Sequence, residues 1–360
     1  MTPQTQGASP LIPQSRIVTT AAWIAVLIAV FWILRVARSF LIPLVLAFIA
    51  LYLVEIVNRL WLQIPWIGRR MPSILRTAFS AAMILGSMYG AGSLIASNAE
   101  AVARQGPKYA ETLNQLYIDL LHRFNLQESA LQDRLLETLN DPQYLVNVST
   151  GLMSMVGNGA LIVAYLAMML VDRPLMPKKV EALFPSKEKR ASVMKVLKNI
   201  DHDIRVYLGV KTFVSILTGA ISYLIMAMVN LDFAAFWAFL IFAFNYVPNI
   251  GSTVATILPS FLALAQFDTI GPFLVIVLGI ATVQIIIGNL VEPALMGASL
   301  NMSPLVVILS LVLWAILWGV AGMFLCVPIT TALMIVLGYF DRTRWVAILL
   351  SRDGRLRPTD

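Results

Sequence analysis

Gln284-Ile-Ile-Ile-Gly288-Asn289-Leu-Val-Glu292-Pro293-Ala-Leu-Met-Gly297 and, upstream of it, Asn245-Tyr-Val-Pro248-Asn249-Ile-Gly251 interrupt the most apolar part of this chain. Between residues 212 and 340 there is no Lys or Arg, and the only acids are Asp232, Asp268 and Glu292. A stretch this apolar is too long for a soluble core and reads as successive membrane spans. Proline removes a backbone donor and glycine loosens a helix, so each interruption frees peptide groups near membrane depth. Freed peptide groups persist in a bilayer only where protein buries them or where they line a wet cavity.

Composition supports the same class. Hydrophobic residues make up 59% of the chain, charged residues 12%, and mean hydropathy is +0.81. Globular domains carry roughly 25% charged residues, so the expectation is an all-α, polytopic helical membrane protein with about eight spans. The net charge of +7 is read through its placement in loops, not as a nucleic-acid footprint. The single cysteine, Cys326, excludes an intrachain disulfide and a thiolate cluster. No metal site and no cofactor are expected.

Working outward, residues 1–16 read as a disordered cytoplasmic tail with no signal-peptide character. Residues 17–97 hold three spans, the first two forming a hairpin with Arg35 and Arg38 at its turn. Pro43 suits a first helical turn, and Glu55 is placed to pair with Arg59 on the next turn. Residues 98–147 carry four basic residues and seven acids, with apolar residues at helical spacing, and read as extracytoplasmic amphipathic helices. Residues 148–171 form the fourth span. Residues 172–211 carry ten basic residues against five acids and read as a basic cytoplasmic connector. Residues 212–340 are the transport core with two re-entrant or broken-helix segments, and 341–360 a basic cytoplasmic tail. Both termini are therefore expected in the cytoplasm.

The two interruptions share a pattern: Asn, then Pro three or four residues on, then Gly. Paired broken segments point to a transporter binding site; the plainer reading is that Pro and Gly kink packed helices. Pro248, Gly251, Gly288, Pro293 and Gly297 are the hinge candidates. Glu292 is the functional acid, since a carboxylate at depth is costly. It would bind a cation, exchange a proton, or hydrogen-bond a hydroxylated solute. Asn245, Asn249, Gln284 and Asn289 add uncharged donors and acceptors suited to a small polar solute, with Gln284 and Asn289 the leading ligands. An enzyme is not expected. His122 and His202 lie in charged connectors, and no nucleophile–base or metal-ligand motif occurs. A structural or sensory membrane protein is the remaining class.

The run Asn245…Gly251, Pro259, Gln284…Asn289…Glu292-Pro293…Gly297, Ser303-Pro304-Leu305-Val306-Val307, Gly319…Gly322…Pro328 resembles the C-terminal signature of the autoinducer-2 exporter family of bacterial inner-membrane transporters. The likeness holds from about Asp201 to Leu337, and departs at Gly288, where many relatives carry a second charged or amide residue. It implies helical transporters of about eight spans with re-entrant hairpins. It also implies homo-oligomers, as pentamers, in contact with membrane lipid and not with nucleic acid. Some relatives export the quorum-sensing signal autoinducer-2; others are similar to sodium or lithium–proton antiporters.

Overall fold

Apolar runs become helices because a bilayer leaves backbone groups no other partner. The computed structural model describes residues 14–64, 70–124, 159–248, 250–296 and 301–354; Asn249 and Gly297 lie outside them. Among the described residues every long element is a helix, and the one β-bridge joins Met302 to Ser351. Six helices are long and apolar enough to cross a membrane, and four shorter apolar helices accompany them. Only 11–50% of each spanning window is buried inside the chain. The outward surface is correspondingly apolar, with Trp23, Leu224, Met228, Leu278 and Ile316 all exposed, as lipid contact requires.

Helix α1 (Gln14–Val36) leads into α2 (Arg38–Gln63) through Ala37 alone. Ala37 has φ −82° and ψ 11°, and Ala37 N–H donates to Ile33 O at 2.8 Å while Leu41 N–H donates to Ala37 O at 2.9 Å. Hydrogen bonding thus runs through the joint, which is a bend in a helix rather than the expected loop between hairpin spans. Pro43 falls in the second turn of α2 and is buried there.

Helix α3 (Ser73–Phe124) is 52 residues long, roughly 78 Å at 1.5 Å per residue. It passes through Asn98 without a break, so the start of the amphipathic insert extends the third span. Helix α4 (Gly159–Asp172), a 3₁₀ turn at Arg173–Leu175 and α5 (Met176–Leu183) follow. Helix α6 (Lys187–Met228) runs 42 residues. It fuses the basic connector to the next span across Lys211, where the charge pattern alone suggests a boundary.

Helix α7 (Ala234–Phe244) and helix α8 (Ile250–Gln266) form a re-entrant hairpin. At 11 residues, α7 covers only about 16 Å, too little to cross about 30 Å of hydrocarbon. The base of the hairpin is closed by Gln266. Its Oε1 accepts from Asp232 N–H at 2.7 Å, and its Nε2 donates to Asn230 O at 2.9 Å. Tyr109 of α3 donates to Asp232 Oδ2 at 2.9 Å. At the tip, Gly251 is obligatory: a Cβ there would lie 1.8 Å from Phe244 O.

Helix α9 (Ile270–Ile286) passes through a π-turn (Ile287–Val291) into α10 (Glu292–Met296). The second interruption is therefore a bulge in a continuous helix. Pro293 cannot donate to the carbonyl one turn before it, and widening the preceding turn lets the chain continue. Helices α11 (Pro304–Trp318) and α12 (Val320–Tyr339) turn tightly at Gly319, with φ +62°. Short α13 (Arg344–Leu350) is tied back by Ser303 N–H to Leu350 O at 3.1 Å.

The interior has two main apolar clusters. Met226, Trp237, Ile241, Ile276 and Ile280 join α6 to α9 around the hairpin. Tyr207, Leu208, Trp314, Trp318 and Leu325 join α6 to α11 and α12. Helix α6 belongs to both and is the axis of the fold.

Candidate functional site: a polar stripe facing the hairpin tip

On α6, Tyr207, Lys211, Ser215, Thr218 and Ser222 are all buried. Their spacing of four, four, three and four residues puts them on one face of the helix. The stripe runs roughly 22 Å along α6, and what faces it is the hairpin and the π-turn.

The hairpin tip supplies two contacts. Asn245 Nδ2 donates to Ser215 Oγ at 2.9 Å, with both residues buried. Thr212 Oγ1 donates to Leu208 O at 2.6 Å and lies 2.8 Å from Tyr246 Oη. Having one proton, Thr212 is the acceptor in the second contact and Tyr246 the donor. Tyr246 also stacks on Phe324 of α12 at 6.3 Å. Pro248 is half-buried beside these residues.

The π-turn supplies Glu292. Lys211 Nζ donates to Glu292 Oε1 at 2.6 Å, with side-chain exposures of 9% and 18%. Removing two charges from water costs several kcal/mol per ion, repaid only by close pairing. Tyr207 Oη is buried with no hydrogen-bond partner among the described residues, within electrostatic reach of Glu292, Cys326 and Tyr246. Gln284 Nε2 is likewise buried and unpartnered. Gly279 against Ile225 and Glu292 against Lys211 set an antiparallel register that puts Gln284 level with Ala220 of α6.

Of the residues expected from sequence, Asn245 and Glu292 meet α6 at Ser215 and Lys211, with Gly251 shaping the tip; Gln284 stands roughly 13 Å along α6 from the Lys211–Glu292 pair. Asn289, Gly288 and Pro293 are exposed on the outer side of the π-turn, so Asn289 is not brought to the stripe. Asn249 and Gly297 lie outside the described residues. Lys211, Tyr207, Thr212, Ser215 and Tyr246 were not foreseen. Polar residues at helical spacing from Tyr207 to Ser222 were the available signal. No group of three or more His, Cys, Asp or Glu residues that could hold a metal occurs among the described residues.

A second charged cluster lies two to six residues before Tyr207 on α6, at Arg205 and Asp201, and at the adjoining ends of α2 and α4. Glu55 pairs with Arg173 and lies 3.5 Å from Arg205, which also pairs with Asp201. Glu55 thus reaches across to α6 instead of along α2 to Arg59.

The chain as a whole has relatives in sequence. The family described as AI-2E family transporter matches residues 22–342. The chain belongs to this transporter family. The AI-2 transport protein TqsA of Escherichia coli (strain K12) is 30% identical over 327 residues, covering 88% of this chain and 91% of that protein. A candidate transport protein of Haemophilus influenzae is 31% identical over 342 residues, covering 92% and 95%. PerM of E. coli, a candidate permease, is 26% identical over 326 residues, covering 88% and 92%. Members of the family are transporters and permeases, which fits a buried polar track in a helical membrane protein.

Proposed function

We propose that the chain carries a small, uncharged, hydroxylated solute of the autoinducer-2 kind along the buried face of α6, by alternating access. The observation that carries this reading is the continuous polar stripe from Tyr207 to Ser222 facing Asn245. Amides and hydroxyls offer both donors and acceptors to a polyol, and the Lys211–Glu292 pair adds polarity with no net charge. The hairpin α7–α8 is anchored at its base by Gln266 and held at its tip by the Asn245–Ser215 and Tyr246–Thr212 hydrogen bonds; it is the moving part, and those two bonds break and re-form as it moves. The relative named for AI-2 transport supports the solute class, and its modest identity leaves the substrate to experiment.

We take the end of the bundle that carries the basic start of α6 and the Arg173–Arg205 cluster as cytoplasmic, on the positive-inside rule. Export across an inner membrane is the direction that this proposal assigns to a signal molecule made inside the cell. Assembly into homo-oligomers belongs to the same proposal. Sodium- or lithium–proton antiport is the second reading, favoured by the buried Glu292 carboxylate.

The test is flux of a panel of labelled polyols and autoinducer-2 in proteoliposomes holding the full chain. Saturable solute movement with no accompanying change of internal pH supports the proposal. Sodium-driven pH change that Glu292→Gln abolishes, with no solute movement, supports antiport and overturns it.

A further inference from the structure

We propose that Lys211 sets the selectivity of this site: its ammonium is a tethered cation that occupies the Glu292 carboxylate and bars alkali-metal ions from it. This inference rests on the α6 stripe being the permeation site.

Glu292 is the one acid between Asp268 and Asp341. Beside it, α6 contributes Lys211, which pairs with Glu292, and Tyr207, whose hydroxyl lies within electrostatic reach of Glu292, Tyr246 and Cys326. Lys211 is the only cation among them. A carboxylate beside a buried, unpartnered phenol oxygen, next to a π-turn and a proline that free backbone carbonyls, is an oxygen-rich donor set of the kind hard cations take. In this chain the charge of that set is already balanced. Lys211 Nζ sits 2.6 Å from Glu292 Oε1 with 9% of its side chain exposed.

A sodium or lithium ion would have to displace an ammonium that never leaves the site. Tethering makes the competition intramolecular, so an ion free in solution is at a standing disadvantage. The displaced ammonium would then be buried without a partner, a costly state. Neutral solutes need separate no buried charges: they exchange the neutral Asn245–Ser215 and Tyr246–Thr212 hydrogen bonds for bonds to their own hydroxyls. Remove the ammonium and the balance inverts, because an unpaired buried carboxylate recruits whichever small cation can reach it.

The experiment compares the full chain with Lys211→Gln, Lys211→Arg and Lys211→Gln/Glu292→Gln in proteoliposomes. It measures ²²Na⁺ uptake and, in detergent, the shift of Tm when NaCl or LiCl replaces N-methylglucamine chloride. Lys211→Gln should gain saturable sodium uptake at least about tenfold above wild type, the equivalent of about 1.4 kcal/mol, and a positive Tm shift. Lys211→Arg and the double variant should show neither. A folded Lys211→Gln protein without the gain overturns the proposal, as does a gain that survives in the double variant. If Lys211→Gln does not fold in any buffer, wild type decides: its flux and Tm should not depend on sodium, and a sodium dependence that Glu292→Gln removes overturns the proposal. Solute flux by wild type tests the wider reading separately. A chain that moves no solute yet gains sodium uptake in Lys211→Gln retains the ion-exclusion role while the solute assignment fails.

Discussion

Gly251→Ala puts the hairpin tip to a strict test. The added Cβ would lie 1.8 Å from Phe244 O and 2.8 Å from its carbonyl carbon, against 3.4–4 Å for ordinary contact. The obstacle is backbone and cannot rotate away. It also accepts the tip hydrogen bond from Val247 N–H at 2.8 Å, so any shift large enough to admit the methyl strains that bond as well. Overpacking costs about 1–3 kcal/mol and a lost hydrogen bond about 1 kcal/mol. The sum, roughly 2–4 kcal/mol, corresponds to a fall of about 3–5 °C in apparent Tm for a protein of this size. Gly271→Ala is the control, since nothing lies within 4 Å of its Cβ; it should stay within about 2 °C of wild type. The assay is intrinsic-fluorescence melting of both variants in the same detergent. Equal melting of Gly251→Ala and Gly271→Ala would refute the closed tip and the placement of Asn245 that depends on it.

Other outcomes follow from the same contacts. Asn245→Leu strands Ser215 Oγ in a buried interface and should lower stability by about 1–3 kcal/mol, read by melting, while solute flux falls. Glu55→Gln removes the carboxylate between Arg173 and Arg205; these groups are partly exposed, so the loss should be about 1–2 kcal/mol, seen as a lower Tm. At the hairpin base, burial and then the Asp232 carboxylate push the Tyr109 hydroxyl up to about 12. A folded-state value raised above the ordinary 10.0 means that the contact stabilises fully below that pH and is lost as pH passes about 12. The Tm difference between wild type and Tyr109→Phe should therefore be present at neutral pH and vanish across that window.

Hydrophobicity made the class of fold legible, because a bilayer enforces it over tens of residues. The hairpin was legible at Asn245–Gly251, where proline and glycine must punctuate a helix. The π-turn was not. Pro293 announces a perturbed helix, but whether the chain reverses or merely bulges depends on what packs against it, and Glu292 is held against α6 by Lys211. That partner was hidden by a boundary drawn where basic residues stop. A helix of 42 residues carries charge from its polar half into its apolar half without marking the passage in composition. Asn289 shows the opposite limit. Its chemistry suits a ligand, but its side of the helix is set by the extra residue of the π-turn, which local sequence does not declare.

The central claim is that the Tyr207–Ser222 face of α6, buried here, opens to water inside the membrane when the hairpin moves. In a Cys326→Ala background, Ser215→Cys, Ser222→Cys and Leu224→Cys can each be exposed to a charged, membrane-impermeant thiol reagent in proteoliposomes. The account predicts labelling at Ser215 and Ser222, slowed by transported solute, and none at Leu224, which faces outward from the chain at 60% exposure. Labelling at Leu224 alone, or at none of the three, would contradict it.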